Sequence, residues 1–292
     1  MTSPEPPSAS AGTFTLAGHQ VHRLGFGAMR LTGPGVFGPP RDPAEALAVL
    51  RAAAEAGVNH VDTAYYYGPE VVNAQLRAAW HPYPEELALV SKVGARRTPD
   101  GGIVAWDDPT ELRLGIEENL RSLGTDRLAA VNLRLMDGYV SDSRFDDQLE
   151  AMVRARDDGL IGGVGLSNVS LHQLRRALAS TAVVCVQNPY SVGARSSAPV
   201  LAECTRHGIP FVPWAPLGSR GTLNARPIRR VAARHGVTAA QVALAWLLAQ
   251  GPNVLLIPGT AARAHLAENL AVGQLTLTRA DLAELDTVPT GS

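Results

Sequence analysis

GVNHVDTAYYYG, residues 57–68, is the stretch on which the reading of the fold turns. A short apolar run, Val58, His60 and Val61, delivers Asp62 to its end. Tyr67 follows five residues later and Gly68 comes directly after it. A second apolar run, 87–90, then delivers Ser91 and Lys92. Each run has the length of a strand buried on both faces. An acid, a phenol and an ammonium at or just past strand ends form a proton-transfer site if the fold brings them together.

Outward from this stretch the same unit repeats. Before it, 13–16 and 21–26 read as a small hairpin leading into a first buried strand from Leu24. Asp42 and Pro43 start a helix, as N-cap and first-turn proline, and Gly57 ends it. After it, strands at 58–61, 87–90, 128–135, 161–166, 183–187, 209–212 and 254–257 alternate with helical patterns. The helices are predicted at 70–80, 110–123, 145–158, 170–179, 198–207, 227–235, from a cap at Thr238, and at 262–272 and 279–285. Capping boxes stand at Ser170 with Gln173 and at Thr238 with Gln241. Counted from Leu24 there are eight strands, with a helix after each of the first seven and again after the last. That pattern points to a closed (β/α)8 TIM barrel with an N-terminal β-hairpin and extra C-terminal helices. An open dinucleotide fold needs a third glycine and a helix after its first strand, whereas Gly25-Phe-Gly27-Ala-Met-Arg30 offers arginine and then a proline-rich loop.

The 292 residues contain 46% hydrophobic and 18% charged residues, the balance of a well-buried globular chain. With 26 Lys plus Arg against 27 Asp plus Glu there is no basic stripe, which argues against nucleic acid or an anionic membrane as partner. Residues 1–12 lack a basic region and an apolar core, so they read as a disordered arm ahead of one domain at 13–292. Cys185 and Cys204 lie in apolar surroundings without metal or redox spacing, which suits buried thiols in a reducing cytoplasm. No metal is expected.

In a barrel, chemistry sits at the C-terminal strand ends. Asp62 ends strand 2 and Lys92 ends strand 3, so they are neighbours, and Tyr67 can fold back over them. Tyr65 and Tyr66 compete for that position. The three groups suit carbonyl reduction. A ketone or aldehyde needs a proton as hydride arrives, and a free phenol, with a pKa of about 10, gives one reluctantly. A nearby ammonium lowers that barrier, and a carboxylate holds the ammonium charged.

The sequence resembles the aldo-keto reductases over nearly its whole length after the arm. The resemblance is carried by LGFGAMRL (24–31), GVNHVDTAYYYG (57–68), SKVG (91–94), GLSN (165–168), VQNPY (186–190), PWAPLG (213–218) and IPGT with a later EN (257–260, 268–269). It implies a (β/α)8 barrel and hydride transfer from a nicotinamide cofactor bound extended across the strand ends. By that resemblance Tyr67, which directly precedes the glycine, is the general acid, and Lys92 and Asp62 tune it. Gly27 and Met29 border the cofactor, Ser167 and Asn168 hold the nicotinamide carboxamide, and Gln187 stands beside them. Trp214 replaces a common stacking tyrosine. Pro216, Leu217 and Gly218 line the pyrophosphate path. Gly259 and Thr260 meet the adenosine phosphate, and Glu268 and Asn269 lie under the adenine.

Two departures stand out. Many relatives carry a lysine and an arginine on the 2′-phosphate, at the positions of Gly259 and His265. Arg263 is close enough to substitute, so NADPH is expected and NADH is the alternative. The family's strand 4 histidine is replaced by Arg134 in VNLRLMD (131–137). Arginine cannot relay a proton, but it can stabilise an alkoxide or hold an anionic substrate group. If it serves structure instead, it needs a carboxylate partner.

The long segment 94–108 should overhang the pocket, where Arg96, Arg97 and Trp106 could recognise an aromatic or anionic carbonyl compound, with Phe37 added from the early loop. These features resemble the bacterial pyridoxal-reductase-like branch, and pyridoxal is the leading specific substrate. The alternatives are a tailoring ketoreductase on a sugar or secondary metabolite, a cofactor-binding regulatory barrel, and an aldolase using Lys92 as a Schiff base.

Overall fold

The computed structural model describes residues 6–136, 140–219 and 221–290. Strands β1 (Thr13–Leu16) and β2 (His19–His22) form an antiparallel hairpin. Then come β3 (Phe26–Gly27), α1 (Pro43–Glu55), β4 (His60–Asp62), α2 (Val71–Trp80), β5 (Ala88–Arg97), β6 (Ile103–Trp106), α3 (Pro109–Leu123), β7 (Ala130–Arg134), α4 (Asp142–Asp157), β8 (Val164–Ser167), α5 (Leu171–Ser180) and β9 (Val183–Gln187). The helices α6 (Ala198–His207), α7 (Arg226–His235), α8 (Ala239–Leu248), α9 (Arg263–Leu270) and α10 (Arg279–Asp286) complete the chain.

Six strands pair in parallel in the order β3-β4-β5-β7-β8-β9, curling into a sheet flanked by the helices. Parallel bridges continue past β9, from Val186 to Phe211 and from Phe211 to Val254, and Leu256 bridges back to Leu24 on the other edge. The expected strands at 209–212 and 254–257 are thus reduced to single bridges. Pro210, Pro213 and Pro258 explain the brevity, because a proline nitrogen cannot donate to the ladder. Inward side chains of the curled sheet, among them Val90, Ala130, Cys185, Val212 and Leu255, make a small core that the hairpin residues Leu16 and Val21 close from below. The larger core lies between sheet and helices, with Leu76, Ile116, Phe145, Phe211 and Trp246 fully buried.

The helix starts follow their capping chemistry. Asp42 accepts from the Glu45 amide at 2.9 Å, with Pro43 in the first turn. Both predicted capping boxes close. Helix α4 starts three residues before the apolar period suggests, because Ser141 Oγ takes the Arg144 amide and caps the earlier turn.

Two expectations need correction. Segment 94–108 is not a plain loop: β5 runs on to Arg97, turns at 98–102 and returns as β6, antiparallel to it. Of the supposed disordered arm 1–12, residues Pro7–Ala11 form a 3-10 turn with Ser8 and Ala9 buried. That turn rests on the turn Ala271–Gln274, and Ser8 Oγ bonds His22 Nδ1 at 2.7 Å. Small residues let this short segment fit against the turn beneath it. Residues 1–5 lie outside the described part.

Candidate active site

β4 ends on Asp62, whose register neighbours are Gly27 of β3 and Val90 of β5. Lys92 stands two residues further along β5, level with Asn132 of β7. Arg134 ends β7 level with Ser167 of β8, which is itself level with Gln187 of β9. Strand stagger therefore steps the polar side chains around one end of the sheet, the end where the strands finish.

The centre is a buried ion pair. Lys92 Nζ donates to Asp62 Oδ1, and to the Thr63 carbonyl at 3.2 Å. Gln187 Nε2 donates to the other carboxylate oxygen, Oδ2, at 2.8 Å. Both oxygens of Asp62 are thus engaged, which is what a carboxylate 2% exposed requires. Beneath it on the same strand face lies His60, whose Nδ1 has no hydrogen-bond partner among the described residues. Burial pushes this imidazole down to about 4, so it is neutral beside the pair.

The three tyrosines separate by direction. Tyr65 turns outward, its hydroxyl donating to Glu70 Oε1 at 2.9 Å, and so leaves the centre. Tyr66 and Tyr67 are buried edge to face, with ring centroids 5.3 Å apart. Lys92 Nζ lies 5.2 Å from the Tyr67 ring centroid. Tyr67 makes no hydrogen bond through its hydroxyl among the described residues, whereas Tyr66 Oη accepts from Arg134 Nη1 at 3.3 Å. The Tyr67 hydroxyl is left for a ligand.

The charges around Tyr67 differ from the expectation. Burial, and then the Asp62 carboxylate, raise its phenol well above the ordinary range, while the Arg134 and Arg97 guanidiniums pull it back down. The sequence reading gave that task to Lys92, whose ammonium is turned to Asp62. Arg134 lies over the Tyr66 ring at 5.6 Å and pairs with no carboxylate among the described residues. Its expected structural role as half of a salt bridge is not what the fold builds.

Of the three candidates on segment 94–108, Arg97 is the one the structure turns towards Tyr66. Its Nε donates to the Tyr66 carbonyl at 3.4 Å and its Nη1 to the Gly101 carbonyl at 2.8 Å, which folds it over the site. Alternation along β5 sends Arg96 the other way. Arg96 lies 5.7 Å from the Trp106 ring, and Trp106 covers Gly115 of α3, so this pair faces the helix. The roles given to Arg96 and Trp106 are therefore misplaced by one step of strand period 2. Phe37 does reach the site's edge, its ring lying against Gly101 at the hairpin tip.

The expected cofactor residues line the same end of the sheet. Trp214 is 40% exposed, and its Nε1 donates to Asn168 Oδ1 at 2.9 Å. Asn168 Nδ2 in turn donates to the Leu135 carbonyl at 3.0 Å. Asn168 has φ +62° and Ala215 φ +50°, left-handed conformations that a side chain adopts at a cost and that gather at functional sites. Ser167 is buried beside them. Pro216, Leu217 and Gly218 follow on the loop, and Ser191 Oγ, buried and without a partner among the described residues, lies next to Gly218. Gly27, Gly259 and Thr260 meet at the far rim, where a side chain on Gly259 would strike the Gly27 carbonyl. Met29, His265 and Glu268 are exposed and Asn269 is half-buried. Arg263 is already engaged, its guanidinium bonding Glu45 at 3.1–3.2 Å. Arg30 passes over Gly259 and is a further cation at this rim. Among the described residues no group of three or more His, Cys, Asp or Glu is gathered for a metal.

The aldo/keto reductase family model matches residues 23–289. The chain belongs to that family of NAD(P)H oxidoreductases. It is 45% identical to pyridoxine 4-dehydrogenase of Escherichia coli K12 over 95% of this chain and 98% of that one. Among solved structures it is similar to a thermostable aldo-keto reductase in complex with epalrestat, with a TM-score of 0.81, 27% identity, and 95% of this chain and 99% of that one covered. It is also similar to an aldo/keto reductase of Klebsiella pneumoniae in complex with NADP and acetate, with a TM-score of 0.78, 26% identity, and 96% of each chain covered. Family membership gives the Asp62, Tyr67 and Lys92 arrangement its chemical context, carbonyl reduction.

Proposed function

We propose that this aldo-keto reductase reduces an aldehyde to an alcohol with NADPH, with pyridoxal to pyridoxine as its specific reaction. The observation that carries the reading is the buried Asp62–Lys92 pair under a phenol whose hydroxyl has no hydrogen-bond partner among the described residues. The bridges from β9 through Phe211 and Val254 to Leu24 read as the remainder of a closed (β/α)8 barrel, one domain whose strand-end face is the active site.

The residues present suit an extended dinucleotide. An exposed indole held in place by Asn168 offers a stacking face, Ser191 offers an unused hydroxyl beside Gly218, and Arg30 and Arg263 offer cations at the rim. NADPH, when bound, supplies the hydride that reaches the carbonyl carbon. Ser167, Asn168 and Gln187 would orient the nicotinamide carboxamide, and Trp214 would cover its ring. Pro216, Leu217 and Gly218 would border the pyrophosphate, and Gly259, Thr260, Arg263 and His265 the adenosine phosphate. Glu268 and Asn269 would sit under the adenine, and Gly27 with Met29 would form the opposite wall. NADH is the alternative, because Arg263 is engaged by Glu45 and must leave it to hold a 2′-phosphate.

Tyr67 gives its hydroxyl proton to the carbonyl oxygen, and solvent returns a proton to the phenolate afterwards. Arg134 and Arg97 stabilise that phenolate, while Asp62 keeps Lys92 charged and fixed under the ring. The relative named for pyridoxine, and the aromatic side chains Phe37 and Tyr66 beside Arg134 and Arg97 at this face, support an aromatic aldehyde. The buried, uncrosslinked Cys185 and Cys204 support a cytoplasmic site of action.

Oxidation of NADPH on adding pyridoxal tests the proposal. Tyr67→Phe should lower kcat on the order of 10²- to 10⁴-fold, the range for loss of a general acid. Equal, slow oxidation by wild type and variant would leave the regulatory-barrel reading standing instead.

A further inference from the structure

Four of the cations near the protein surface show what an arginine here ordinarily does. Arg144 pairs with Asp107, Arg175 with Glu203, Arg176 with Asp146 and Arg263 with Glu45. Arg97 and Arg134 behave differently. Both are partly buried at the strand-end face, both are held through Tyr66, and neither meets a carboxylate within ion-pair distance among the described residues. Arg134 uses the phenol and ring face of Tyr66, whereas Arg97 uses its backbone carbonyl and that of Gly101. Among the described residues, neutral partners position the two guanidiniums and leave their charge unanswered. Arg97 is placed there by the β5–β6 turn, whose Gly101 also receives Phe37, so cation and aromatic ring border the same opening.

We infer that Arg97 and Arg134, bracketing Tyr66 beside Tyr67, form a subsite for an anionic oxygen carried by the substrate in addition to its carbonyl. The inference rests on the reductase reading and narrows it to one substrate class: aromatic aldehydes bearing an ionised hydroxyl or a carboxylate on the ring. Guanidinium groups suit such oxygens because they present several donors in a fixed plane and stay charged at every working pH. Their partial burial strengthens the interaction relative to water. An anion seated there also completes charge pairs that the described residues leave open. The class includes pyridoxal through its ring hydroxyl and equally a formylbenzoate through its carboxylate, so the shared requirement is the anionic oxygen.

The test compares matched aldehydes with NADPH: 4-carboxybenzaldehyde against its neutral methyl ester, and pyridoxal against pyridine-4-carbaldehyde. Wild type should prefer the charged member of each pair by about 10- to 100-fold in kcat/KM, the factor expected of a hydrogen-bonded charge. The preference should fall towards one in Arg97→Gln, mainly through KM, and return in part in Arg97→Lys. Arg134→Gln should lose the same preference. A preference for the carboxylate pair alone would assign the subsite to carboxylates, and for the pyridine pair alone to ring hydroxyls. A ratio near one in wild type, or one unchanged in both glutamine variants, overturns the inference. Calorimetric titration of benzoate and of benzamide into the enzyme with NADP⁺ reads the subsite without turnover. Benzoate should bind about tenfold or more tighter in wild type and equally in Arg97→Gln. If no aldehyde is reduced yet benzoate still discriminates, the reductase reading fails and the subsite stands. If aldehydes are reduced and benzoate does not discriminate, the reverse holds.

Discussion

The two ends of the sheet each hold a partly buried arginine, and the two are treated in opposite ways. At the end where strands begin, Arg23 donates to the carbonyls of Val254 at 3.1 Å, Ala11 at 3.3 Å, and Leu248 and Gly251 at 2.8 and 2.6 Å. Those carbonyls belong to the N-terminal turn, the end of α8 and the start of the last bridge, so the side chain ties three segments together. At the end where strands finish, Arg134 has one long hydrogen bond to a phenol, and Arg97 has two to carbonyls. A guanidinium has five donors. Where they are spent on the fold, the residue is architecture. Where they are left over among the described residues, next to Tyr67, the residue has donors to offer a ligand.

The contrast can be broken most severely at the centre. Lys92→Met removes the cation from a buried pair and leaves the Asp62 carboxylate with only Gln187. It should destabilise the protein by about 3–5 kcal/mol and abolish aldehyde reduction, as read by denaturant titration and NADPH oxidation. A variant of full stability would mean that the pair is not carrying its charge in the fold. Arg23→Ala should come next, at about 2–3 kcal/mol, because the anchored carbonyls lose charged donors. Its pH–rate profile should not move, since Arg23 is at the far end from Tyr67, and a shifted profile would refute the division between the ends.

Arg134→Gln should be the mildest in stability and the most telling in pH. Arg134 lowers the Tyr67 phenol, so its removal lets that pKa rise further. In reduction the protonated phenol is the acid, and it is lost as pH rises through the phenol's pKa. The alkaline limb of kcat should therefore move to higher pH, and reduction near neutrality should slow by about tenfold, roughly 1.4 kcal/mol. An unmoved limb would show that Arg134 does not act on Tyr67.

Much of this arrangement was legible in one dimension. Asp42, Ser170 and Thr238 announced their helices because a cap bonds within three residues. Asp62 and Lys92 were readable as neighbours because each ends an apolar run, and adjacent parallel strands align their ends. Arg97 was readable as a candidate but not separable from Arg96. The chain pattern offered Arg96 and Arg97 alike, and only the pairing of β5 with β6 fixed which one faces the site. The N-terminal turn was missed for a related reason, since its small, proline-rich residues carry no periodic signal and are ordered by the surface beneath them.

Sequence by itself determined the βα alternation, the helix caps and the acid, phenol and ammonium at the strand ends. Each of these depends on contacts spanning a few residues, or on a regular period. Tertiary structure alone turned Tyr65 outward to Glu70, tied Gln187 to Asp62 across 125 residues, and left Arg134 and Arg97 without a carboxylate among the described residues. Those outcomes depend on which side chains meet after the sheet curls, and on how much water remains around them. Burial and charge, which set the acidity of the phenol in GVNHVDTAYYYG, exist only once that has happened.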